Sequence, residues 1–213
     1  MNSIKVLLVL LSVLPVLANG QSNPSKGFIP LFDGTFRGWE GDTIHTFRIE
    51  DNAIVGGSLS KIVEHNEFLC TRSSYGNFIL RLKFKLTGSG FVNAGVQFRS
   101  KRAVDPAYEM VGYQADLGDK YWASLYDESR RNRTLAKPDS ISLTKILKKD
   151  DWNDYEVICQ GKNIRIRLNG QETVNYTEKE NNIPQEGLIG LQIHGGGRAL
   201  VRYKDIMVKK LPP

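Results

Sequence analysis

The chain has 213 residues, 40% of them hydrophobic, enough for one globular domain with a substantial core. Its formal charge is +6, with 29 Lys and Arg against 23 Asp and Glu, and the excess is scattered in short runs such as Lys148-Lys149 and Lys209-Lys210. No basic stripe with interleaved aromatics occurs, which argues against nucleic acid as a partner.

Residues 6–17 are an apolar run broken only by Ser12 and Pro15, preceded by Lys5 and followed by Ala18-Asn19-Gly20. This is the pattern of a secretory signal, too short for a membrane span. Cleavage is expected before Gln21, giving a secreted or periplasmic domain over residues 21–213 with no Cys near its start for a lipid anchor.

Beyond a polar lead-in, residues 28–39 carry a turn at Asp33-Gly34. Residues 47–57 read as a hairpin turning at Asp51-Asn52, and residues 68–71 as a short strand. Residues 78–86 alternate most clearly: Phe78, Leu80, Leu82, Phe84 and Leu86 share one face, with Arg81, Lys83 and Lys85 opposite. Gly88-Ser89-Gly90 reads as a loop. Residues 94–100 form the next strand, with Val96 and Phe98 inward and Gln97 and Arg99 outward.

Residues 108–131 alternate too, with Gly112, Gln114 and Asp116 on one face and Tyr113, Ala115 and Leu117 on the other. A wet face serving stability alone would carry Lys, Thr or Ser. This stretch gathers an amide, a carboxylate, the Tyr126 phenol and two arginines. A basic loop, residues 130–137, follows, and residues 144–149 suit one helical turn. Residues 154–159 and 163–168 pair around Gly161-Lys162, and Asn169-Gly170 is a strong turn signal. Residues 187–194 and 199–211 are the last strands. Strands recurring every roughly 8–12 residues, with no long amphipathic helix, predict an all-β sandwich.

Cys70 and Cys159 both sit in apolar strand patterns; they either pair in an oxidising compartment or serve as small buried hydrophobes. There is no CxxC, no D-x-D-x-D-G loop and no His cluster, so neither a metal nor another cofactor is expected. His45 and His65 read as surface residues. The sequons Asn132-Arg133-Thr134 and Asn175-Tyr176-Thr177 matter only in a glycosylating host.

Four signatures occur in order: Gly27-Phe-Ile-Pro-Leu-Phe-Asp-Gly-Thr-Phe-Arg-Gly-Trp39; Tyr75-Gly-Asn-Phe-Ile-Leu-Arg-Leu-Lys-Phe with Asn93-Ala-Gly-Val-Gln-Phe-Arg-Ser100; Asp151-Trp-Asn-Asp-Tyr-Glu-Val with Ile166-Arg-Leu-Asn-Gly170; and Gly187-Leu-Ile-Gly-Leu-Gln-Ile-His194 with a final Arg-Tyr-Lys-Asp-Ile. Together they resemble the 3-keto-disaccharide hydrolase family over essentially the whole chain after the signal. The resemblance implies a concanavalin A-like jelly roll of two curved antiparallel sheets. It also implies a carbohydrate partner, a 3-keto-glycoside or disaccharide, cleaved by hydrolysis or by elimination and hydration.

A ketone at C3 makes the C2 proton acidic. Cleavage then needs a base, a group to hold the enolate and an acid for the leaving oxygen. It does not need the matched carboxylates of ordinary glycoside hydrolysis. Where jelly-roll glucanases carry E-x-D-x-x-E, this chain reads Gln114-Ala-Asp116-Leu-Gly-Asp119, and an amide cannot form a glycosyl-enzyme ester. Many members of the resembled family read roughly G-x-E-x-Q-x-x-D here; in this chain the amide and carboxylate are exchanged.

The catalytic candidates are Asp116 as base, Glu128 as rival acid or base, His194 as proton shuttle and Arg131 as an enolate-holding cation. Gln97, Arg99, Gln114, Tyr126, Arg130 and Gln192 are candidate sugar-binding groups. Trp122 is either a stacking platform for a sugar ring or a core residue. A non-catalytic, lectin-like binding module on the same fold is the alternative reading.

Overall fold

The computed structural model describes residues 26–213; the apolar leader and its expected cleavage point lie outside that range. In chain order come β1 (Ile29–Pro30), β2 (Trp39–Glu40), β3 (Phe47–Glu50), β4 (Ala53–Gly57) and β5 (Glu67–Thr71). The long β6 (Phe78–Gly90), β7 (Asn93–Arg102), β8 (Met110–Gly118), β9 (Leu125–Glu128) and β10 (Arg133–Ala136) follow. A short helix, α1 (Ser140–Ile146), precedes β11 (Asn153–Gln160), β12 (Asn163–Leu168), β13 (Gln171–Thr177), β14 (Leu188–Ile193) and β15 (Gly197–Lys210).

The strands make two antiparallel sheets. One runs β13-β12-β11-β6-β15-β4-β3, with β1 added on β15; the other runs β10-β9-β8-β7-β14-β5-β2. β6 lies beside β15, more than a hundred residues away in sequence, with Phe78 opposite Lys210 and Gly90 opposite Gly197. Such long-range pairing within both sheets makes the fold an all-β jelly-roll sandwich.

Period-two alternation builds the core. Phe78, Leu80, Leu82, Phe84 and Leu86 of β6 are buried against Val96 and Phe98 of β7 and Tyr113, Ala115 and Leu117 of β8, in one continuous cluster. Aromatic contacts run within and between the sheets: Phe84 meets Tyr155 edge-on at 5.3 Å in the first sheet, Phe98 stacks on Tyr113 at 5.7 Å in the second, and Phe78 meets Phe98 edge-on across the layers at 6.4 Å. Two hairpins turn where the sequence indicates. Asp51 and Asn52 have φ of 49° and 56°, and Asn169 and Gly170 have 49° and 82°, the left-handed pairs of a tight hairpin turn.

Some boundaries differ from the sequence expectation. Residues 88–90 extend β6 instead of looping, because residues 197–199 pair with them. Gly88 is required there: its φ is 156°, and a Cβ would sit 2.4 Å from the Arg198 carbonyl. The helix starts earlier than residue 144, because the Asp139 carboxylate caps it by accepting from the Ser142 N–H at 2.8 Å. Part of the basic loop, residues 133–136, is an edge strand on β9. Cys70 and Cys159 are buried free thiols on strands of different sheets, and burial pushes each up to about 12. Among the described residues no helix is long and apolar enough to cross a membrane.

Candidate active site

The outer face of the second sheet should be wet, yet it is not. Gln97 and Gln192 are 0% exposed, Gln114 2% and Asp116 3%. Register sets them in two rows across the sheet. Gln192 of β14 lies beside Gly95 of β7, which lies beside Asp116 of β8. In the next row Gly190 lies beside Gln97, Gln97 beside Gln114, and Gln114 beside Tyr126 of β9.

A one-way hydrogen-bond chain runs through these side chains. The Ser100 hydroxyl donates to Gln97 Oε1 at 2.6 Å, Gln97 Nε2 donates to Gln114 Oε1 at 3.0 Å, and Gln114 Nε2 donates to Asp116 Oδ1 at 2.6 Å. Gln114 crosses Gly95 to reach Asp116, and a Cβ on Gly95 would sit 2.5 Å from Gln114 Cδ. The chain fixes which way both amides point. On the other side of the carboxyl, Ser124 Oγ lies 3.5 Å from Asp116 Oδ2 and donates to the Tyr121 carbonyl at 2.8 Å.

Burial pushes the Asp116 carboxyl up to about 8, the Glu128 charge adding to the effect and the Gln114 hydrogen bond opposing it. At neutral pH it is therefore mostly the neutral acid. Asp116 and Gln114 line a cleft with Phe91, Asn93, Tyr121, Tyr126, Glu128 and His194. Glu128 shares the outer face of β9 with Tyr126, while Leu125 and Asp127 turn inward and are fully buried. Burial first, then the charges of Glu109 and Asp127, push Glu128 up to about 7. Burial and the Glu128 and Asp116 charges raise the Tyr126 phenol.

His194 follows β14 at the cleft's edge. Its backbone N–H donates to the Asn93 carbonyl at 3.1 Å, and Phe91 meets its ring edge-on at 4.8 Å. Its Nδ1 lies 2.7 Å from the Gly195 carbonyl. A carbonyl only accepts, so Nδ1 carries the proton and the neutral ring keeps Nε2 as its acceptor.

The structure therefore brings Asp116, Gln114, Tyr126, Glu128 and His194 together, with Gln97 behind Gln114. Gln192 lies on the same face, one strand beyond Gly95, with no hydrogen-bond partner at Nε2 or Oε1.

Four expected residues lie elsewhere. Arg99 does not share the outer face with Gln97. A β-bulge between Phe98 and Lys101, with Arg99 at φ 48°, turns it aside, and its guanidinium donates to the Gly76 carbonyl at 2.9 Å and to Gln185 Oε1 at 2.5 Å. Arg130 and Arg131 follow Ser129, at φ 52°, and fold back on the inward-facing Asp127. Arg131 Nη2 also meets Glu178 Oε2 at 2.7 Å, tying the second sheet to the segment after β13. Trp122 is a core residue: its ring stacks on Phe84 at 6.1 Å and its indole N–H donates to Asp119 Oδ1 at 3.3 Å. Its expected alternation with Tyr126 fails because β8 ends at Gly118 and a turn with Ala123 at φ 54° intervenes.

Asn93, Phe91 and Tyr121 escape the sequence reading. Asn93 is two residues before Gly95 and four before Gln97, so strand alternation could have found it. Phe91 and Tyr121 lie outside the strands, where no periodicity applies. Among the described residues no group of three or more His, Cys, Asp or Glu side chains is placed to hold a metal ion.

Two sheets in jelly-roll order, with an acid, amides, a phenol and an imidazole on one outer face, define a β-sandwich domain with a polar cleft. Residues 27–209 match the 3-keto-alpha-glucoside-1,2-lyase-like domain, and the chain belongs to that family. No curated protein sequence matches it. Among solved structures it is similar to a Parabacteroides distasonis protein provisionally assigned as a glycosyl hydrolase, at TM-score 0.63 and 19% identity, covering 86% of this chain and 99% of that one. It is also similar to the Bacillus subtilis carbohydrate-binding module CBM66, at TM-score 0.62 and 15% identity, covering 81% and 96% of the two chains. A Bacillus subtilis protein with a galectin-like fold matches at TM-score 0.61 and 12% identity, over 82% and 90%.

Proposed function

We propose that this domain is an exported enzyme that cleaves 3-keto-glycosides by removing the C2 proton and expelling the C1 substituent, with water then adding across the C1–C2 double bond. One observation carries the reading: a carboxyl kept neutral by burial, Asp116, shares a cleft with an imidazole whose Nε2 is free to accept. The acid is in its working form at neutral pH.

In this scheme His194 Nε2 takes the C2 proton, made acidic by the ketone. Asp116 protonates the departing C1 oxygen. Burial thus reverses the role its sequence position suggests, from base to acid. Glu128, at about 7, is poised to exchange protons with the added water or the enolate. Tyr126 donates its phenol hydrogen to the enolate oxygen. No arginine is needed in the cleft, because neutral donors stabilise the enolate there.

The test is product release from a chromogenic aryl 3-keto-glucoside by the protein starting at Gln21. Release by wild type, with Asp116→Asn and His194→Gln each slower by about two orders of magnitude or more, supports the reading. Absence of release together with sugar binding that Asp116→Asn leaves intact would make this a binding module, the role named for the CBM66 neighbour.

A further inference from the structure

The cleft chemistry leaves one buried group unexplained. Gln192 is 0% exposed, and neither its Nε2 nor its Oε1 has a hydrogen-bond partner. Buried side-chain amides are as a rule paired. Gln192 has Gly95 on one side, with Asp116 beyond it, and Phe68 on the other. It therefore continues the line of the cleft floor away from Asp116.

Residues from two connections meet at this end of the sheet. Phe68 packs with Met110, which directly follows Tyr108 and Glu109. Asn66, two residues before Phe68, donates its Nδ2 to Glu109 Oε2 at 3.0 Å and accepts from the Gly195 N–H at 3.2 Å. Beside it His65 stacks flat on Tyr108, ring centroids 3.9 Å apart. These contacts join the segment before β5 to the segment before β8 and to the end of β14.

We infer that Gln192 is the floor of a second subsite, for the sugar ring next to the one that reacts, and that the Asn66–Glu109 and His65–Tyr108 contacts form a cover that opens to admit it. The inference rests on the glycoside-cleaving reading of the cleft. A primary amide donates and accepts side by side, which matches two neighbouring hydroxyls of a pyranose. A bound ring supplies both missing partners, and between Gln192 and Asp116 it would lie over the Gln114 amide that crosses Gly95.

The experiment is calorimetric and stopped-flow binding in an Asp116→Asn background, which prevents turnover. The probes are methyl 3-keto-glucoside, with one ring, and a 3-keto-disaccharide. Gln192→Met should weaken the disaccharide roughly tenfold and leave the single-ring ligand within about twofold. Asn66→Ala, which releases the cover without touching the floor, should speed association of the disaccharide more than that of the single ring. Equal effects on both ligands, or none on either, would overturn the subsite and leave Gln192 as the host of a trapped water. If neither sugar binds the background protein, the reading of the cleft itself fails and the subsite falls with it.

Discussion

Gln114 donates its amide N–H to Asp116 Oδ1 at 2.6 Å and accepts from the Gln97 amide behind it at 3.0 Å. Flipping Gln114 would set its carbonyl against the acceptor oxygen and its NH₂ against the Gln97 donor. Two amides thus act as a fixed mount for one acid. The Gln114 bond also holds the Asp116 titration below where burial alone would put it.

If Asp116 is the acid, the alkaline limb of kcat/KM on a 3-keto-glycoside should lie near 8 in wild type, and replacing Gln114 with Leu should move it upward. The bond that favours the carboxylate would be gone. A pH–rate profile checks this, and an unmoved limb would assign the acid to another group.

Gly95→Ala tests the geometry without replacing either polar partner. The added methyl would meet Gln114 Cδ at 2.5 Å and push the amide off Asp116. Turnover should fall by roughly tenfold or more, with the fold intact by circular dichroism.

The buried acid makes stability depend on pH. The folded state holds the Asp116 proton up to about 8, against about 4 for an unfolded Asp. Its contribution is fully present below the unfolded value and is lost as pH rises through the folded one. Glu128 acts the same way up to about 7. Wild-type Tm should drop between about pH 5 and pH 9, and Asp116→Asn should flatten that drop. Thermal melts across this range are the measurement.

Arg131 anchors structure rather than substrate. It pairs with the buried Asp127 and Glu178, and the Tyr113 hydroxyl donates to Glu178 at 2.6 Å. Arg131→Met would take the guanidinium from Glu178 and leave Asp127 to Arg130, at a cost of about 3 kcal/mol by denaturant unfolding. Activity per folded molecule should survive at low temperature. Loss of catalysis without loss of stability would return Arg131 to the cleft.

The alternating strands were legible because burial on one face imposes period two: residues 78–86 and 112–117 show it plainly. The two left-handed hairpin turns were legible because Asp, Asn and Gly tolerate that backbone. Asp116, Gln114, Tyr126, Glu128 and His194 could be read as polar residues on strand faces or at a strand end. Arg99 and Trp122 could not be placed, since a bulge and a turn set by neighbouring strands shifted their alternation. Arg130 and Arg131 were drawn inward by Asp127 and by Glu178, a partner far along the chain. The protonation of Asp116 was also hidden, because it comes from burial that only the assembled fold provides.

The most direct test follows the C2 hydrogen. The protein would be incubated with a 3-keto-glycoside in deuterated water and any released sugar examined by NMR against a protein-free control. Proton abstraction followed by hydration predicts solvent deuterium at C2 of the product, and loss of both release and labelling in His194→Gln. Cleavage that leaves the original hydrogen at C2 would contradict the account.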